Sequence, residues 1–550
     1  MRQLQARGTD GGTSANGEAD IASAPTTGAV CADHVTCRSL TTKGITAMPT
    51  VQPYTEKYRD CLRDESRLVG TAEAIALPEC EEEVRDVLRA AHREGRSVTA
   101  QGMRTGIVGG AVPMGGLALS LSRMHAMTPR DEHCLVVQPG ATLSAVQAAL
   151  APRGSFFPPD PTETTASVGG MIATNASGAL SFRYGPTRRW VSALRVVLAD
   201  GALLVLRRGE HRASGRRFTL VTDDGHRVCG DLPAYRMPNT KNAAGYYVED
   251  DMDLVDLFIG MEGTLGVITE ADLRVAPLPG AVCALTIFLP SEAVALALVR
   301  LVRGESLGTR GGVATPPVSM EFFNAEALDL VREWAASGRS TDRMPALRPH
   351  HHTAVALEFH GADEADVEAQ ALAAMEAAVA LGGNDEDTWY ATDARGLALQ
   401  KTFRHAVPEA VNQRIDELRR RDPAITKLGT DMSVPDAALE ETIAMYRRDL
   451  ARAELQAVAF GHVGNNHVHV NILPQSREAY ARGRALYQDW AARVVALGGS
   501  VSAEHGIGVL KTGLLRVMYG EEGISQMRAL KRTLDPAYRL NPGKLFDIVA

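Results

Sequence analysis

Apolar positions change period along this chain, and the changes mark its elements. Val84, Val87, Leu88 and His92 recur at helical spacing, behind Glu81, Glu82 and Glu83 at the positive end of the predicted helix. Gly95 ends that helix, and residues 97–100 read as a short strand running into a glycine-rich stretch. Helix, strand and glycine turn alternate in this way to about Pro279, which predicts an α+β or α/β unit with a sheet core. Beyond it the pattern changes. Apolar strands at 285–289, 355–359 and 455–460 alternate with alanine-rich helices at 291–303 and 362–381. Strand–helix–strand passages of this kind predict a ferredoxin-like sheet with helices on one side. His350, His351 and His352 fall in a Pro-rich surface loop, and turn signals at Asp535-Pro536 and Asn541-Pro542-Gly543 close the chain. Residues 1–50 show no apolar period and read as a disordered extension.

Composition narrows the class. The chain has 550 residues, 45 % hydrophobic and 23 % charged, with a net charge of −8. Those values exclude a collagen, a coiled-coil rod and a basic nucleic-acid binder. No 18-residue apolar run predicts a transmembrane helix. Cys31, Cys37, Cys61, Cys80, Cys134, Cys229 and Cys283 contain no C-x-x-C pair, so they read as free thiols rather than iron–sulfur or zinc-thiolate ligands. Chemistry therefore falls to histidines, carboxylates, arginines or a bound cofactor.

Three glycine-rich elements stand out. The first runs from Gln101 to Gly110 and the second from Pro158 to Gly178. The third runs from Gly260 to Thr269. Glycine lets backbone approach a ligand closely and point amides at it, which suits a pyrophosphate. In the second, Gly169-Gly170 opens a short helix whose first amides are candidates to hold an anion. None matches a P-loop or G-x-G-x-x-G, and each alone is compatible with a structural turn.

In this order the trio resembles the FAD-binding domain of the vanillyl-alcohol oxidase superfamily, over about residues 68–546. The resemblance implies a two-subdomain FAD-binding fold of the PCMH type at 68–279. A ferredoxin-like substrate (cap) domain at 280–550 follows, ending in a C-terminal helical segment that contacts FAD. It assigns cofactor contacts to Gly102, Thr105, Gly106, Gly109 and Gly110, and to Pro159, Asp160, Gly169, Gly170, Thr174, Asn175, Ser177 and Gly178. Gly263, Gly266, Val267, Ile268 and Asn541 complete the set. Arg104 stands where the family has glycine, which puts the local loop conformation in question. No histidine in these loops is placed for covalent attachment, so noncovalent FAD is expected.

A second constellation lies downstream. After the strand ending at Phe460, His467, His469 and Asn471 share one face by the period of two, with His462 at the turn. Neutral imidazoles there suit a divalent metal, and Glu504-His505 offers a carboxylate and a base. Hydrogen-bonded core histidines are the plainer alternative.

These stretches resemble the FAD-dependent D-2-hydroxy acid dehydrogenases. The resemblance implies zinc or a similar divalent ion on His462, His469 and Glu504, and His505 as catalytic base. Arg404 would hold the substrate carboxylate, with Lys427 and Asn471 also lining the substrate pocket, and Asp431 lies in the same pocket-lining segment as Lys427. The sequence departs from the family at Asn465 and His467, and His467 is expected to pack rather than bind metal. An exposed arginine on an amphipathic helix is the alternative for Arg404.

The implied activity is oxidation of a D-2-hydroxy acid, D-lactate to pyruvate foremost. D-2-hydroxyglutarate is the first alternative, with Lys401, Lys427 and Arg414 as spare cations, and a glycolate oxidase subunit is another. A transferase like alkylglycerone-phosphate synthase, using the run at His350, and a non-catalytic scaffold are lesser ones. Electrons would leave to cytochrome c, a quinone or an electron-transfer flavoprotein. A homodimer is expected, cytoplasmic or peripheral to a membrane, or mitochondrial in a eukaryote.

Overall fold

The computed structural model describes residues 50–547 apart from 309, 338–343 and 345. The extension expected at 1–50 lies, but for Thr50, outside the described residues, as do Cys31 and Cys37.

The first half contains two larger sheets, beside two two-stranded ones. The smaller orders its strands Val51–Pro53, Ala74–Ala76, Leu117–Ser120 and Val98–Gln101. Its last three strands run parallel. The helix Glu81–Glu94 covers it, burying Val84, Val87, Leu88 and Ala91. Ala91 completes the buried face where the sequence pattern placed His92, which is exposed. Gly95 ends the helix at φ 72°, its N–H donating to carbonyls of the last turn, as a left-handed cap requires. The second sheet is antiparallel, ordered Met127–Pro129, Cys134–Val137, Val267–Arg274, Val191–Val197 and Leu203–Arg207. These sheets form the two subdomains expected for residues 68–279.

The second half is built on one antiparallel seven-stranded sheet. Its order is Thr388–Ala391, Ala281–Leu289, Thr353–Gly361, Ser319–Phe323, Ala457–Gly461, His469–Ile472 and Leu428–Gly429. Helices cover both faces, not one. Leu285, Ile287, Val355 and Leu357 pack with Leu298 and Ala371 of the helices Glu292–Val302 and Glu364–Ala380. The alternate residues Phe288, Ala354 and Ala356 pack with Val331 and Phe403 of Ala325–Ala336 and Ala394–Arg421. The strand Ser319–Phe323 is buried at every position, its polar residues Ser319 and Glu321 included.

The chain then returns to its start. After the helix Thr512–Leu534, Asn541 donates its N–H to Val98 O and accepts at Oδ1 from Ala100 N. Buried Lys531 ties this segment to Thr264 O, Leu540 O and Asp535. Among the described residues no helix is long and apolar enough to cross a membrane.

Candidate active site

A cavity of about 1830 Å³ lies between the two halves. Thr105, Ile107 and Val108 of the first glycine-rich loop line it, with Asp160 of the second. The opposite wall is the helix Ala394–Arg421, which presents Lys401, Arg404, His405 and Pro408. His462, His469, Asn471, Glu504 and His505 also line it.

Cofactor fit can be judged from the first loop. Among the described residues, the amides of residues 104–110 donate to no protein acceptor, and a Cβ on Gly106 would meet no atom within 4 Å. Arg104 adopts φ 61°. The loop thus keeps the left-handed turn that glycine favours, against a penalty of about 1–2 kcal/mol for an L side chain. That answers the question its substitution raised. Backbone amides without a protein acceptor suit the phosphates of FAD.

The second loop works differently from expectation. The amides of Val168, Gly169 and Gly170 are already taken by Ala141 O, Pro139 O and Ser167 Oγ. The helix Val168–Thr174 therefore does not offer them to an anion. Several glycines here answer to protein packing: a Cβ on Gly102 would lie 2.0 Å from Ser167 Oγ, and one on Gly178 2.0 Å from Asp160 O. The same holds for Gly169 against Pro139, Gly109 against Leu68, Gly263 against Asn541 and Gly266 against Val196. Gly110 has only Glu262 Oε2 near, at 3.8 Å. Pro159, Val267 and Ile268 are buried, the last two in apolar clusters. Thr174 Oγ1 donates to Gly170 O, and Asn175 Oδ1 accepts from Arg188 N. Asn541 has its amide engaged at both ends, Nδ2 donating to Glu262 O.

The histidine cluster forms around Glu504. His462 Nε2 lies 3.3 Å from Glu504 Oε2, and His469 Nε2 lies 3.4 Å from Oε1. His462 Nδ1 is 2.6 Å from Glu321 Oε1, and His469 Nδ1 is 2.7 Å from Thr430 O. A carbonyl and a carboxylate only accept, so both Nδ1 atoms carry protons. The Nε2 atoms are left to face Glu504, which is how metal-ligating histidines are commonly oriented. These donor atoms and His467 lie within 4.8 Å of one another. The donor set fits a divalent cation of the zinc type. Burial opposes a charge on His462, but Glu321 and Glu504 outweigh it and raise its pKa to about 9. Proton and cation thus compete for one nitrogen.

His467 is fully buried, its Nδ1 3.4 Å from Lys241 Nζ and 3.9 Å from Glu504 Oε2. Its Nε2 lies 3.0 Å from Asp431 Oδ1 but off the line of a hydrogen bond. Lys241 also donates to Glu504 Oε2 at 2.7 Å, and Ser177 Oγ reaches that oxygen at 3.4 Å. Burial opposes the charge on Glu504, yet Lys241 and His462 hold its carboxyl well below the usual range.

Arg404 NH1 donates to Ser319 Oγ at 3.3 Å, and NH2 lies 3.6 Å from Glu358 Oε2. Glu358 in turn contacts His360 Nε2 at 3.1 Å, and His360 Nδ1 meets Tyr184 OH at 2.8 Å. Asp160 accepts Leu180 N, and burial raises its carboxyl to about 7 against the pull of Arg404. Asn471 Oδ1 is buried with no partner among the described residues. Lys427 Nζ donates to Asn412 Oδ1 at 3.0 Å. Arg414, counted from sequence as a spare cation, pairs with Glu333 at 2.7 Å.

His350, His351 and His352 line no part of the cavity. His351 stacks on Phe288 at 3.8 Å, and His350 and His351 both meet Asp387. Sequence reasoning missed Lys241, Glu321 and Glu358, and gave no role to His405 beside Arg404; the first three lie outside every motif. Lys241 stands 263 positions from its partner Glu504.

Fold and site define a flavin-linked oxidoreductase, and comparison with known proteins agrees. A profile described as FAD binding domain matches residues 72–207, and one described as FAD linked oxidases, C-terminal domain, matches 281–545. D-2-hydroxyglutarate dehydrogenase of Xanthomonas citri pv. viticola is 33% identical over 485 residues, 86% of this chain and 89% of that protein. Probable mitochondrial D-lactate dehydrogenase of Danio rerio is 30% identical over 494 residues, 88% of this chain and 87% of that protein. A solved structure of alkyldihydroxyacetonephosphate synthase shares the fold at TM-score 0.60 and 17% identity, covering 91% of this chain and 83% of that one. The chain belongs to the FAD-dependent D-2-hydroxy acid dehydrogenase family of the vanillyl-alcohol oxidase superfamily.

Proposed function

We propose that this protein oxidises D-lactate to pyruvate. The observation that carries the reading is the convergence of His462, His469, Glu504 and His505 on the cavity that also holds Arg404. FAD, when bound, would supply the two-electron acceptor, and the residue 102–110 loop with the element around Asp160 would hold it. His462, His469 and Glu504 would hold a divalent ion of the zinc type, which would supply Lewis acidity toward the substrate hydroxyl.

The rest is the work of side chains. His505 takes the hydroxyl proton at Nε2. Arg404 grips the carboxylate with two parallel N–H donors, fixing which face of the α-carbon turns to the flavin. Asn471 offers its free Oδ1 to a donor on the substrate or on an ordered water. Electrons then pass to cytochrome c, a quinone or an electron-transfer flavoprotein.

A second reading, D-2-hydroxyglutarate, is favoured by Lys401 and Lys427 in the cavity wall, where either ammonium could meet a distal carboxylate. One experiment separates the two. The purified flavoprotein is titrated anaerobically with D-lactate, L-lactate, D-2-hydroxyglutarate and glycolate. Bleaching of the flavin band by D-lactate at the lowest concentration supports the first reading. Bleaching by D-2-hydroxyglutarate alone supports the second, and no bleaching by any of the four overturns both.

A further inference from the structure

The loop that carries Glu504 and His505 is organised by a carboxylate from another segment. Asp431 is 1 % exposed. Its Oδ2 accepts from Ser502 Oγ at 2.6 Å and from His505 N at 3.1 Å, and its Oδ1 accepts from Glu504 N at 3.3 Å. Lys511 Nζ, 2.6 Å from Oδ2, balances the charge. The same Oδ2 lies 3.3 Å from His505 Nδ1. Across the ring, His505 Nε2 stands 3.5 Å from Glu504 Oε1. His469 stacks on one face of that ring, with planes inclined by 19°.

We propose that Asp431 is the positioning residue of the base, holding His505 in the tautomer that keeps its proton on Nδ1 and leaves Nε2 free to take the substrate proton. This rests on the reading of His505 as base. A buried carboxylate with its charge balanced by Lys511 can only accept, so a neutral ring beside it places its proton on Nδ1. The bonds to His505 N, Glu504 N and Ser502 Oγ fix the backbone from which the ring projects. The stack on His469 opposes a half-turn of the ring. Three restraints thus act on one imidazole, and Asp431 supplies two of them. An orienting carboxylate of this kind does not touch substrate. Its loss lowers kcat by leaving the wrong nitrogen protonated, while the substrate-binding groups remain in place.

Asp431→Asn tests this, because the amide keeps the shape and can donate to Nδ1, reversing the tautomer. The expected result is a fall in kcat of roughly 100-fold or more, toward the ~10⁴-fold known for the equivalent change in a Ser-His-Asp triad. KM for D-lactate, the flavin spectrum and bound metal should stay near wild type. In a His505→Ala background the same change should lower the residual rate less than about threefold, since the effect runs through the ring. A kcat within about threefold of wild type for Asp431→Asn overturns the proposal. So does a loss in the His505→Ala background as large as in the wild type, which would mark a purely structural role. Should Asp431→Asn fail to fold, ¹⁵N imidazole shifts of histidine-labelled wild type, with His505→Ala as assignment control, decide the matter. Nδ1–H at His505 supports it, and Nε2–H overturns it. If His505→Ala itself keeps full turnover, the base reading fails instead, and the two failures are distinct.

Discussion

His462 Nδ1 and Glu321 Oε1 stand 2.6 Å apart inside the protein, with Glu321 only 6% exposed. The pair joins two neighbouring strands of the large sheet, since Phe322 and Gly461 are in register. Glu321 therefore orients His462 through its Nδ1. Glu321→Gln is expected to weaken zinc binding about 10–100-fold, the usual consequence of losing such an outer partner. Competition with a chromogenic chelator measures it, and the flavin content of the same sample should be unchanged.

Arg404 stands between Ser319 and Glu358 with its guanidinium open to the cavity. Arg404→Lys keeps the charge but presents a point donor in place of a fork. We expect KM for D-lactate to rise roughly 10–100-fold, the equivalent of a charged hydrogen bond of about 1.5–3 kcal/mol. Steady-state kinetics with an artificial dye acceptor reads it. An unchanged KM would place the carboxylate elsewhere.

Gly106 and Gly178 make a contrasting pair. An added methyl at Gly106 meets nothing, whereas at Gly178 it lies 2.0 Å from Asp160 O. Gly178→Ala should lower the thermal midpoint of the FAD-free protein by several degrees, because backbone must move. Gly106→Ala should leave that midpoint within a degree or so, yet weaken FAD binding. Differential scanning fluorimetry with and without added FAD distinguishes the two.

His405 faces the cavity, and burial beside Arg404 and Lys401 pushes its pKa from 6.5 down to about 4. Its folded pKa lies below its unfolded one, so the unfolded chain binds the proton first as pH falls. Stability from this group is complete above pH 6.5 and is lost progressively toward pH 4. The ceiling of about 3 kcal/mol, at 1.36 kcal/mol per unit, drops to about 1–2 kcal/mol once cavity solvent is allowed for. His405→Gln should flatten the fall in denaturation midpoint between pH 7 and pH 5. An equal slope in both proteins refutes it.

What the sequence disclosed depended on how locally each feature is encoded. His462, His469, Glu504 and His505 sit in two short runs, and a turn followed by a strand suffices to converge the first two. The glycine loops were legible for the same reason, though not the reason for each glycine: Gly102 and Gly178 yield to Ser167 and Asp160, contacts no pattern reveals. Lys241 and Glu321 were invisible because their partners lie 263 and 141 positions away. The strand Ser319–Phe323 escaped because it is only five residues long and its polar positions, Ser319 and Glu321, are buried rather than turned to solvent. Helices on both sides of the large sheet were missed with it, since that strand feeds the helix Ala325–Ala336, which packs on the second face.

The 502–508 loop is gripped on its far side too. Glu262, from the first half of the chain, accepts Ile507 N and Gly508 N at 2.7 Å each, and Gly506 leaves room for its carboxylate. This makes the chain poor material for modular exchange. A recombinant that inherits residues 280–550 from one parent and 68–279 from another must match at Glu262 as well as at the seam. Otherwise His505 rides on a loop with one anchor. Selection would then keep the two halves together as one heritable unit, even where their sheets fold well with foreign neighbours.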